Sequence, residues 1–121
     1  MEASPPPGSP LSIKPNKLDD GGIQLTLVGE LDLATLHLLE DELDRTAPSE
    51  KRLVLDLRAL EFIDSSGLHA LLRADRRLRD AGGELIIIRG PRAVDRLFRL
   101  TGLDTRLRIV DREETATRPG E

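Results

Sequence analysis

An acid, two hydroxyls and a glycine stand together in Ile63-Asp64-Ser65-Ser66-Gly67-Leu68. They lie between a nearly continuous apolar run, Leu53 to Leu57, and an amphipathic segment from about Leu68 to Ala81. Such residues at a strand-to-helix junction have two uses. They cap the helix, because side-chain oxygens accept backbone N–H groups that the first turn leaves unpaired. They also offer an exposed serine hydroxyl where a phosphate is tolerated, since the helix dipole and the free N–H groups favour negative charge. Local sequence leaves both open for Ser66, and Ser65 is expected to cap in either case. Glu30 and Asp32, in Gly29-Glu30-Leu31-Asp32, carry the same ambiguity: a surface turn that meets a partner, or a turn whose Asp32 caps the next helix.

Other chemistries find little support. His69 follows Ser66 by three residues, but there is no Gly-x-Ser-x-Gly elbow, and an i,i+3 pair on one helix is a poor base geometry. His37 and His69 have no second histidine at ligand spacing, so no metal is expected. The chain has no cysteine, which removes disulfides, thiolate ligands and cysteine nucleophiles together. No Walker-type loop is present, and no cofactor or catalytic residue is expected. A net charge of −4 and an aromatic content of 2% argue against direct nucleic-acid binding, by electrostatics and by stacking respectively. The arginines from Arg73 to Arg79 are interrupted by Asp75 and flanked by Asp80, and read as a solvated helix face. Neither a signal-peptide core nor an apolar run of spanning length is seen, so a cytoplasmic protein without membrane insertion is expected.

The elements that must position these residues follow from periodicity. At 121 residues the chain suits one domain, its core built from Leu, Ile, Val and Ala. Residues 1–10 are rich in Pro, Ser and Gly and read as a flexible extension, 11–112 as the folded domain, and 113–121 as a polar tail. Leu11-Ser12-Ile13 opens an edge strand. Asp19-Asp20-Gly21-Gly22 is a turn, and Ile23 to Val28 alternates as the second arm of a hairpin. Leu36, Leu39 and Leu43 mark a helix face, with Glu40, Asp41 and Asp44 elsewhere and Pro48 closing it. Leu53 to Leu57 and Glu84 to Ile88 read as central strands covered on both faces. Between them a helix carries Leu68, Leu71, Leu72 and Leu78 inward and stops at Gly82-Gly83. A shorter helix with Val94, Leu97 and Phe98 inward follows Gly90-Pro91, and Leu107 to Val110 reads as a last edge strand. The order β-β-α-β-α-β-α-β predicts an α/β fold: a small mixed sheet packed by about three helices. Sites in such sheets gather beyond the carboxyl ends of parallel strands, where Asp64-Ser65-Ser66 lies.

This succession resembles the STAS domain family, and within it the bacterial anti-sigma factor antagonists. Gly29-Glu30-Leu31-Asp32, Ile63-Asp64-Ser65-Ser66-Gly67-Leu68 and Leu97-Phe98-Arg99-Leu100-Thr101-Gly102-Leu103 carry the likeness, over roughly Leu11 to Val110. The resemblance implies a non-enzymatic, partner-switching regulator of sigma-factor-dependent transcription. Its unphosphorylated form would bind an anti-sigma factor with serine kinase activity. Phosphorylation of the second serine, here Ser66, would release that partner, and a serine phosphatase would reset the switch. Glu30, Asp32, Asp64, Ser65, Gly67, Leu68 and His69 would form the partner surface, with Gly67 leaving room for the partner's approach. The alternative within the family is a STAS subunit of a lipid-transport or multi-subunit signalling assembly, with the same loop serving only as an interface.

Overall fold

The computed structural model describes residues 10–46 and 52–111. The expected extension before Pro10, the helix stop at Pro48 and the tail from Glu113 lie outside the described residues. The elements are β1 (Leu11–Lys17), β2 (Ile23–Leu31), α1 (Leu36–Thr46), β3 (Arg52–Ile63), α2 (Ser65–Asp80), β4 (Glu84–Ile88), α3 (Arg92–Leu100) and β5 (Ile109–Val110). A 3₁₀ turn at Leu103–Thr105, which periodicity is too short to reveal, precedes β5.

The sheet order is β1-β2-β3-β4-β5, with β1 antiparallel to β2 and every other pair parallel. Each crossover therefore steps the same way along the sheet. With right-handed connections, that places all three helices on one face. The main core agrees: Leu39 and Leu43 of α1, Leu68, Leu71 and Leu78 of α2, and Val94 and Phe98 of α3 pack in one cluster with Leu25, Leu55 and Ile87 of the strands. On the opposite face Val54, Ile86 and Ile88 are also fully buried, with Leu18 and Val110 against them. The central strands are thus covered on both sides, as their continuous apolar character requires.

Two strands are longer than alternation suggests. β3 continues six residues past Leu57, to Ile63. Against β2 it pairs Thr26 with Asp56 but Val28 with Ala59, and Gly29 with Leu60 but Glu30 with Phe62. β3 thus carries an extra residue at each of two irregularities, so its buried residues Leu57, Leu60 and Ile63 fall three apart and not two. A period-2 reading must stop at Leu57. Asp56 braces the first irregularity by accepting the Arg58 backbone N–H at 3.0 Å.

β2 likewise runs on through Gly29 to Leu31. Gly29 has φ +110°, and a Cβ there would lie 2.0 Å from the carbonyl oxygen of Pro10, which accepts the Glu30 N–H at 2.7 Å. Only glycine allows the β1 entry to come this close.

α2 begins at Ser65, three residues before the apolar stripe does. Leu72 lies at the edge of that stripe, only partly buried, and Ala70 and Ala74 fill the buried face instead. The arginines of α2 are solvent-accessible, and two of them bridge to α1. Arg73 meets Glu40 at 3.0 Å and Arg77 meets Asp44 at 2.7 Å, pairing α2 with α1.

Candidate functional site

Parallel pairing of β2 and β3 sets Leu31 beside Ile63, so both strands end at the same edge of the sheet. The two acidic motifs leave from that edge as adjacent loops. The juxtaposition follows from strand direction, as the sequence order implies, and needs no reversal of sheet order.

Asp64 is the N-cap of α2, in extended conformation, and its Oδ1 accepts the Gly67 N–H at 2.9 Å. This corrects the expectation for Ser65, which is the first helical residue and exposed. Ser66, at the second helical position, is half-buried, not openly exposed as expected, because the β2 end packs beside the helix start. Its hydroxyl makes no hydrogen bond to any other described residue. The loop holds the serine without using it.

Gly67 and Leu68 face inward, which removes both from the surface that a partner could touch. Leu68 is 5% exposed and belongs to the main core. A Cβ on Gly67 would lie 2.7 Å from the Leu31 carbonyl oxygen and 2.8 Å from Ile63 Cγ1. Glycine is therefore required here for contact with the protein's own β2, not to admit a partner. His69 is exposed on α2.

The first loop is a tightly bonded turn. Asp32 Oδ1 accepts the N–H groups of Ala34 at 3.1 Å and Thr35 at 3.2 Å. The Thr35 hydroxyl accepts the Asp32 N–H at 3.0 Å and donates to the Glu30 carbonyl at 2.8 Å. Asp32 thus organises the lead-in to α1, while Glu30 is exposed at the end of β2.

Sequence reasoning passed over Leu33, which this turn lifts to 73% exposure. Its backbone N–H is bonded by Asp64 Oδ2 at 3.2 Å, joining the two loops. A leucine set in the capping-type turn Asp32-Leu33-Ala34-Thr35, outside the periodic stripe of α1, was the available signal. Phe62, paired with Glu30 in the sheet, is a second exposed apolar side chain nearby.

The site is acidic. Neither 18–44 nor 59–72 contains a lysine or arginine, so Glu30, Asp32, Glu61 and Asp64 have no lysine or arginine beside them within these segments. Among the described residues no group of three or more potential ligands could hold a metal ion, and no helix is long and apolar enough to cross a membrane.

The STAS domain family model matches residues 14–116. The anti-sigma-F factor antagonist RsfB of Mycobacterium tuberculosis is 32% identical over 103 residues, 84% of either chain. An anti-sigma F factor antagonist of Paenibacillus polymyxa is 32% identical over 98 residues, covering 79% of this chain and 84% of its own. The crystal structure of an anti-sigma factor antagonist from Mycobacterium paratuberculosis superposes with a TM-score of 0.79 at 29% identity, covering 92% of this chain and 93% of its own.

Proposed function

The chain belongs to the STAS domain family and, within it, to the anti-sigma factor antagonists, and from that premise we propose that it is a cytoplasmic partner-switching regulator controlled by phosphorylation of Ser66. Antagonists of this family are regulators and not enzymes. In the unphosphorylated state the chain binds an anti-sigma factor that is also a serine kinase, which frees the sigma factor. The kinase transfers the γ-phosphoryl group of ATP to Ser66 Oγ, leaving ADP and a proton, and the partner is released. A serine phosphatase hydrolyses the ester and restores binding.

The observation that carries this reading is the placement of Ser66. Its unbonded hydroxyl stands at the second position of a helix, beside the acidic β2–α1 turn, with no arginine or lysine in either local segment to receive a phosphate. A phosphoserine carries about −1.5 to −2 charges. The helix start accommodates them without unfolding the domain. A partner's anionic group does not. At ~6 Å and an effective dielectric of ~20, one like-charge pair costs roughly 3 kcal/mol before screening, on the order of a hundredfold in affinity.

The partner surface is formed by Glu30, Asp32, Asp64, Ser65 and His69, to which the exposed Leu33 is added. Incubation with the anti-sigma kinase and labelled ATP tests the reading. One phosphate per chain is expected, lost in Ser66→Ala; no incorporation, or undiminished incorporation in the variant, would sink it.

A further inference from the structure

Building on the assignment of Ser66 as phosphoacceptor, we propose that Asp64 couples that serine to Leu33, so that phosphorylation changes the shape of the partner surface as well as its charge. The two oxygens of the Asp64 carboxylate hold different parts of the molecule. Oδ1 accepts the Gly67 N–H at 2.9 Å and so caps the helix that bears Ser66. Oδ2 accepts the Leu33 N–H at 3.2 Å, in the turn before α1.

That second bond is the one the turn cannot supply for itself. The Asp32 N–H goes to Thr35 Oγ1, the Ala34 and Thr35 N–H groups to Asp32 Oδ1, and the Leu36 N–H to the Asp32 carbonyl. Leu33 alone, from Asp32 to Leu36, finds its acceptor outside the turn. Asp64 therefore sets where the Leu33 side chain stands relative to α2. A solvent-exposed leucine held by its backbone suits a partner with an apolar pocket.

A phosphate on Ser66 enters the same helical turn. It seeks the N–H groups of the helix start, of which Gly67 is already taken by Asp64. It also adds about −1.5 to −2 charges two residues from a carboxylate, with no lysine or arginine in the local segment. The carboxylate must yield. Its longer, solvent-exposed bond to Leu33 goes first. The turn keeps its internal bonds but loses its tie to α2.

The test uses the full chain with phosphoserine installed at position 66 during translation, so it is independent of any kinase. Amide exchange followed by NMR should show protection at Leu33 falling on the order of tenfold, the effect of one hydrogen bond to a charged group, while Ala34 and Thr35 keep theirs. Asp64→Asn caps a helix equally well but has a single acceptor oxygen and cannot serve both amides. In that variant, with helix content intact by circular dichroism, Leu33 should be unprotected before modification and phosphoserine should add nothing further. Unchanged Leu33 protection in the phosphorylated chain, or an equal loss on phosphorylation in Asp64→Asn, would overturn the coupling. Neither result bears on whether a kinase recognises Ser66, and a failed kinase assay leaves this measurement standing.

Discussion

Gly67 and Leu31 touch backbone to backbone: a single methyl on Gly67 would sit 2.7 Å from the Leu31 carbonyl oxygen. The contact seats the first turn of α2 on the end of β2, and through it the two acidic loops share one surface. A glycine inside a helix normally costs about 1 kcal/mol relative to alanine, so its presence here needs the compensation this contact supplies.

Gly67→Ala should therefore destabilise the domain despite the better helix propensity of alanine. The new Cβ also meets Ile63 Cγ1 at 2.8 Å, and relieving both contacts requires α2 to move off β2. Overpacking of this kind costs roughly 1–3 kcal/mol. Urea denaturation would register it as a lower midpoint with an unchanged slope; equal or higher stability would show that the helix start is looser than this contact implies.

Ser66→Glu should retain the fold and lose the partner. The helix start tolerates the carboxylate, so circular dichroism and melting temperature should stay close to wild type. Affinity for the anti-sigma factor should fall roughly a hundredfold, the scale of one added like charge at close range. Ser65→Ala provides the contrast, since Ser65 neither caps α2 nor is assigned the phosphate. It should still be labelled to one phosphate per chain.

Leu33→Ser separates recognition from stability. At 73% exposure its side chain contributes little to the core, so stability should change by no more than about 0.5 kcal/mol. Binding to the anti-sigma factor should weaken on the order of tenfold, as expected for an apolar anchor. Titration calorimetry on the two proteins would decide, and an unaltered affinity would remove Leu33 from the partner surface.

Asp56→Asn should flatten the acid limb of the stability curve. Burial of Asp56, only 4% exposed, raises its carboxyl pKa, but the Arg58 guanidinium and backbone N–H outweigh this and hold it below the usual carboxylate range. A depressed native pKa means that the ionised form stabilises the fold above the unfolded pKa of about 3.9, and that this contribution disappears as pH falls through the lower native value. Urea midpoints from pH 7 down to pH 3 should thus decline more steeply in wild type than in Asp56→Asn. Parallel declines would assign the acid sensitivity to other carboxylates.

The order of elements and the placement of Asp64-Ser65-Ser66 at a helix start were legible because both are local signals. Alternating residues from Ile23, the leucines of α1 at helical spacing, and Gly82-Gly83 after α2 declare their structures without reference to distant parts of the chain. The acid-hydroxyl-glycine cluster at the end of β3 declared a helix start in the same way, and parallel strands sufficed to bring Gly29-Glu30-Leu31-Asp32 beside it.

Local signals could not say which oxygen caps which amide, since Asp64 and Ser65 are equally good caps in sequence. Tertiary structure chose Asp64, because its other oxygen could also bond Leu33, 31 positions away. It turned Gly67 and Leu68 inward, where the paired ends of β2 and β3 leave room for no side chain at the first and require one at the second. It also carried β3 past Leu57, because pairing with β2 absorbed two extra residues that no period predicts. Sequence determined that a serine would stand at this helix start; the packing of two strand ends determined what stands around it.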